Sequence, residues 1–343
     1  MSILSIFRRP RKPEAAPAAP RYIKGVNATT ITRFTGEPGL LAAISELNPD
    51  LIRLPGGTIA NYYHGGAPGH GLNANTAEAM ATMPEWLRDV ARDEAKETTP
   101  NLDALVAFAK ACGRPVIWVA NIYTGSPSDY MQPIAALFAA GVKVVGVEIG
   151  NEAYLSKYAS KYPSAALYMG DAKAARDTIK ERWPALPCAV CLAPSPDMRD
   201  AETGDKKAVA LTRWNAVVRG EAWPDAHVIH SYAQPVSVSN IPLALADCKR
   251  HRDALIAHAK ASTKPVWVTE WNVAAQDRQG HDTGNTAVQQ EHITAMITAM
   301  RNEPAIAVAC LHSLAGSGTS NNAIKCGAKG STLTLCGNTF KTA

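Results

Sequence analysis

Residues 144–154 read VVGVEIGNEAY, an apolar run that stops abruptly at an asparagine and a glutamate. A run of Val, Gly and Ile bounded by polar residues has the pattern of a strand buried on both faces, as in a parallel sheet covered by helices. The residues that end such a strand emerge at its C-terminal edge. In a barrel of alternating strands and helices that edge carries the chemistry, so Asn151 and Glu152 stand where a catalytic pair is expected. Residues 265–273, PVWVTEWNV, repeat the form, with a buried strand that ends in Glu270.

Outward from these two stretches the same rhythm continues. Apolar runs at residues 22–27, 51–54, 115–121, 188–192, 226–230 and 306–311 read as strands, which with 144–149 and 265–269 makes eight. Between them, segments near residues 40–47, 101–112, 129–140, 164–183, 206–218, 242–261 and 287–302 have helical periodicity. Eight buried strands alternating with helices predict a closed (β/α)8 TIM barrel rather than an open sheet. The chain of 343 residues exceeds the roughly 250 that such a barrel needs. A single domain is expected over residues 22–343, with a C-terminal extension in which residues 331–335 pair or pack.

The formal net charge of +5 is concentrated at one end. Arg8, Arg9, Arg11, Lys12, Arg21 and Lys24 against Glu14 account for all of it, and the remaining chain is formally neutral. Residues 1–21, with their RRPRKPEAAPAAP stretch, read as a flexible basic Pro/Ala-rich tail that cannot bury a core. A neutral body gives no support for nucleic-acid binding. The basic cluster follows the short apolar start instead of preceding it, the reverse of a secretory signal, and no stretch approaches the roughly 20 apolar residues of a membrane span. A soluble protein is expected, cytoplasmic or part of a larger assembly. Seven scattered cysteines read as buried free thiols, and the single CxxC, Cys188 to Cys191, has no second pair at zinc-site spacing. Neither a metal nor a cofactor is expected, and the oligomeric state is left open.

Two carboxyl groups delivered by two strand ends of one barrel are the equipment for cleaving a glycosidic bond, one as proton donor and one as nucleophile. Arg53 closes the second strand and is followed by Pro55, Gly56 and Gly57, a sequence that turns tightly at the rim. Asn121 closes the third strand and joins the substrate-binding candidates. Residues 61–99, rich in Gly, His, Asn and Tyr, read as a long loop forming a lid or wall. Tyr62, Tyr63, Tyr123, Tyr154 and Trp271 fall at strand ends or mouth loops, where flat rings can stack on sugars. Trp118 and Trp267 lie inside strands and read as core.

Four motifs in order, Arg53-Leu-Pro-Gly-Gly, Gly150-Asn151-Glu152, His230-Ser-Tyr232 and Thr269-Glu270-Trp271-Asn272, resemble clan A of the retaining glycoside hydrolases. Within that clan the chain is most similar to the α-L-arabinofuranosidase and heparanase-type β-glucuronidase families. The resemblance spans residues 22–313 and implies a carbohydrate substrate. It implies Glu152 as general acid/base, Glu270 as nucleophile, Asn151 on a sugar hydroxyl, Arg53 and Tyr232 beside Glu270, and His230 lining the pocket. It also implies carboxyl groups about 5 to 5.5 Å apart, the spacing for direct attack. The chain departs from these families in lacking their β-sandwich and in carrying His312 where many clan members have tryptophan. The competing reading is an inactive carbohydrate-binding or structural barrel tethered by its basic tail. A binder has no use for an acid and a nucleophile together.

Overall fold

In the computed structural model, residues 22–28, 35–67, 71–73, 76–94, 101–198, 205–318 and 321–343 are described. Short apolar runs form β1 (Ile23–Asn27), β2 (Leu51–Leu54), β3 (Val116–Ala120), β4 (Val144–Ile149), β5 (Cys188–Cys191), β6 (Ala226–Ala233), β7 (Val266–Val273) and β8 (Ile306–His312). Each pairs in parallel with the next, and β8 returns to β1 to close the barrel. No backbone edge is left open, which is why these strands can be apolar on both faces.

Period-two alternation divides each strand between two apolar layers. One layer lies between strands and helices and includes Ile52, Leu54, Trp118, Val147, Ile149, Ile229 and Trp271. The other is the barrel's inner floor, made of Leu51, Ile117, Ala189, Val228, Trp267, Val308 and Cys310. Trp267 fills the floor by lying against Gly146, where an added Cβ would collide with the indole ring. Two residues further along several strands the inward positions turn polar: Leu51 gives way to Arg53, Val228 to His230, and Cys310 to His312.

The outer layer holds α1 (Leu40–Leu47), α2 (Ala77–Thr82), α3 (Glu85–Glu94), α4 (Asn101–Cys112), α5 (Pro127–Ala139), α6 (Ala165–Arg182), α7 (Asp205–Gly220), α8 (Ile241–Lys260), α9 (Ala287–Arg301) and α10 (Leu335–Thr342). The C-terminal extension does more than pair. Its residues add a three-stranded sheet, β9 (Ala315–Gly316), β10 (Ile324–Lys325) and β11 (Thr332–Leu333), and then supply α10, which packs beside α9 and α1 as the barrel's eighth helix. Phe340 of α10 is fully buried, and Lys24 Nζ donates to its carbonyl at 2.9 Å.

Two expectations need correction. Residues 61–99 are not a plain loop: α2 and α3 lie within them, α2 started by Thr76, whose side chain accepts from Ala79 N at 3.0 Å. The strands β6 and β7 run past residues 230 and 269, because the parallel pairing continues through His230–Glu270, Ser231–Trp271, Tyr232–Asn272 and Ala233–Val273. Glu270 therefore sits inside β7 instead of just beyond it. All seven cysteines carry free thiols, six of them buried. Among the described residues no helix is long and apolar enough to cross a membrane, and no three His, Cys, Asp or Glu stand together as a metal site. The tail, residues 1–21, lies outside the described residues.

Candidate active site

The polar layer above the inner floor is built around Arg53. Its side chain is completely buried, so its five N–H donors must all find partners inside the protein. Nε and Nη2 donate to the two oxygens of Glu148, at 2.8 and 2.5 Å. Nη1 donates to Glu270 Oε1 at 2.7 Å and to Asn27 Oδ1 at 2.9 Å, and Nη2 also reaches Asn151 Oδ1 at 2.9 Å. One planar fork thus ties β2 to β1, β4 and β7.

The glycines after Arg53 serve this arrangement for two different reasons. Gly57 has φ 65°, which favours glycine. Gly56 has an ordinary φ of −95°, but any Cβ there would run into the side chain of Asn27, which accepts from Arg53.

Glu270 is buried, and burial alone would raise its pKa. The positive charges of His230 and Arg53 outweigh that effect, and Tyr232 Oη donates to Oε2 at 2.6 Å, so the carboxylate is held far below the usual range. Glu148 is likewise kept ionised against its burial, chiefly by Arg53. His230 stands among three carboxylates. Its Nδ1 lies 3.1 Å from Glu152 Oε1 and 3.8 Å from Glu270 Oε2, and its Nε2 lies 3.6 Å from Glu148 Oε1. Burial works against the imidazolium, but Glu270 and the other carboxylates push its pKa up to about 10. It is therefore a cation at neutral pH.

Glu152 follows β4 at the mouth with 20% of its side chain exposed. Its backbone takes φ 50°, a left-handed conformation uncommon outside glycine, asparagine and aspartate. Tyr154 Oη donates to its Oε1 at 3.1 Å. Because His230 Nδ1 touches both Glu152 and Glu270, the facing oxygens of the two glutamates can be no further apart than the sum of those contacts, just under 7 Å.

Asn151 is anchored on three sides. Its Oδ1 accepts from Arg53, its N–H donates to Asn61 Oδ1 at 3.1 Å, and its carbonyl accepts from Asn61 Nδ2 at 2.8 Å. Its own Nδ2 is buried with no hydrogen-bond partner among the described residues.

Arg53, Asn151, Glu152, His230, Tyr232 and Glu270 thus converge on one inward-facing cluster. Asn121 and Trp271 do not join it. Asn121 spends its amide on the local backbone, accepting from Tyr123 N and Thr124 N and donating to Tyr63 O. Trp271 is fully buried in the layer between barrel and helices, since the register that turns Glu270 inward turns its neighbour outward. Tyr62, Tyr63 and Tyr123 are buried packing residues, whereas Tyr154 sits at the mouth. Sequence reading passed over Glu148 and Asn27. A lone carboxylate two residues after Gly146 in an otherwise apolar strand is the signal that marks Glu148 as inward-facing.

The closed parallel barrel, with Glu152 just past its fourth strand and Glu270 within its seventh, is a (β/α)8 fold shared with solved glycoside hydrolases. No family model matches the sequence, and no curated protein does. Among solved structures it is similar to the α-L-arabinofuranosidase of Thermotoga maritima in its arabinose complex, at 15% identity and a TM-score of 0.65 over 95% of this chain and 70% of that one. The family 51 arabinofuranosidase of Xanthomonas axonopodis pv. citri matches at 13% identity and a TM-score of 0.60, over 94% and 71%. A family 128 endo-β-1,3-glucanase of Amycolatopsis mediterranei, solved with laminaritriose and laminaribiose, matches at 15% and 0.51, over 94% and 99%. At these identities the likeness is one of fold.

Proposed function

We propose that this protein is a retaining O-glycosidase that cleaves an oligo- or polysaccharide by double displacement. The observation that carries the reading is the unequal treatment of two facing glutamates. Glu270 is held ionised by Arg53, His230 and Tyr232, as a nucleophile must be, while Glu152 lies at the partly exposed mouth within 7 Å of it. That limit favours the short spacing of direct attack over most of the 6.5 to 9.5 Å range that admits a water between the groups.

In the first step Glu270 forms a bond to the anomeric carbon as the glycosidic C–O bond breaks. The bonding pair leaves on the oxygen, which takes the proton from Glu152. In the second step Glu152 removes a proton from water, whose oxygen displaces Glu270. Asn151 Nδ2, fixed in orientation by the Arg53 bond to Oδ1, donates to the hydroxyl beside the reacting carbon, a contact that strengthens in the transition state.

Chromogenic arabinofuranosides, glucuronides, galactosides and xylosides, together with polysaccharide digests read by mass, test for activity. The names of the fold neighbours, an α-L-arabinofuranosidase and an endo-β-1,3-glucanase, make α-L-arabinofuranosides and β-1,3-glucans the first substrates to try. On the substrate cleaved, NMR should show retained configuration. Glu270→Ala should be nearly inactive, and Glu152→Ala should keep the first step on activated leaving groups and respond to azide. An inverted product, or a fluoroglycoside that labels a residue other than Glu270, overturns the mechanism. Binding of the same glycans without turnover returns the chain to the reading of an inactive barrel.

A further inference from the structure

The two oxygens of Glu152 are not equivalent. Oε1 accepts a hydrogen bond from Tyr154 Oη at 3.1 Å and faces the His230 cation at the same distance. Among the described residues none makes a hydrogen bond or ion pair with Oε2. A carboxyl group whose one oxygen is committed to a donor and a cation carries its proton on the other, because a proton on Oε1 would point at groups that themselves offer hydrogen.

Tyr154 is itself rigidly placed. Its ring meets Trp214 edge to face, with centroids 6.3 Å apart. Trp214 stacks on Tyr168 at 5.4 Å and donates from Nε1 to Cys191 O at 3.1 Å. Tyr168 Oη in turn donates to Ile149 O and accepts from Cys191 N. The tyrosine hydroxyl is thus held by a buried aromatic column that rests on β4 and β5. It needs no substrate to be in place.

We infer that Tyr154 is a positioning residue that fixes Glu152 by its Oε1, so that Oε2 is the atom that delivers the proton to the leaving oxygen. This inference rests on the glycosidase reading above. Tyr154 then matters in proportion to how much the leaving group needs that proton, and a residue that merely supports the loop would not discriminate in this way.

Tyr154→Phe keeps the ring on Trp214 and removes only the hydroxyl, so folding is preserved and is checked by an unchanged melting temperature. kcat/KM, which reports the first step, is measured for aryl glycosides of the cleaved sugar from dinitrophenyl to unsubstituted phenyl. The loss expected is near zero for dinitrophenyl and about tenfold for phenyl, the effect of one hydrogen bond to a charged group. A loss equal across the series, a change confined to KM, or no loss on the phenyl glycoside overturns the role of Tyr154 while leaving the glycosidase reading intact. A wild-type protein that turns over no member of any sugar series overturns both.

Discussion

Arg53 shows how much of a site one residue can organise. Burying a guanidinium is costly, and the cost is offset only where every donor is bonded and the charge is met at close range. Here Glu148 takes two of the bonds and Glu270 a third, both with almost no solvent exposure. Glu148→Gln leaves the charge of Arg53 short of one partner and is expected to destabilise the fold by about 3 to 5 kcal/mol. Urea denaturation followed by fluorescence measures this, and a loss below about 1 kcal/mol would mean that Glu270 alone suffices for Arg53. At this scale the sequence was informative where a polar residue ended a strand. Arg53, Asn151, Glu152 and Glu270 were visible for that reason, whereas Glu148 was hidden inside an apolar run. Trp271 was misplaced because its strand was read as ending before Glu270, whereas β7 continues through both residues and successive side chains of a strand face opposite sides of the sheet.

The strands β4 and β7 work as a pair at the level of elements. Both deliver a glutamate to the mouth, and below the glutamates Gly146 of one makes room for Trp267 of the other. Gly146→Ala should cost about 1 to 3 kcal/mol by overpacking the floor. In a Trp267→Leu background the cost should shrink, and strictly additive effects in a double-mutant cycle would show that the two residues do not share this space. All eight strands were legible as apolar runs. The ends of β6 and β7 were not, because the pairing there continues through His-Ser-Tyr and Glu-Trp-Asn, residues that periodicity reads as the start of a loop. The helices α2 and α3 were missed because Gly, His and Asn upstream of them suggested a loop throughout.

Across the whole molecule the histidines set the response to pH. Burial holds His227, His251 and His258 down at about 4 and His292 at about 3. An unfolded chain takes up those protons near pH 6.5. Between that pH and about 4 the unfolded state binds more protons, so stability falls as the solution is acidified. His230 acts in the opposite direction: its pKa is pushed up to about 10 in the folded state, so its contribution is complete below pH 6.5 and is lost as pH rises through 10. Melting temperatures should therefore peak near neutrality and drop on both sides. A profile flat from pH 7 to 4.5 would show that these imidazoles are not buried neutral. None of this could be read from the sequence, where nine histidines look alike until the fold decides which ones lose their water.

The left-handed backbone of Glu152 has a consequence over generations. For a residue other than glycine that conformation costs on the order of 1 to 2 kcal/mol, and asparagine or glycine would adopt it more readily. As long as the glutamate is used, selection must keep a residue that the fold would exchange for a less strained one. A descendant relieved of the chemistry would drift first at this position and would become more stable as it did so. The replacement Glu152→Asn or Glu152→Gly in a relative of otherwise intact barrel would thus be the mark of a lineage that has given up turnover.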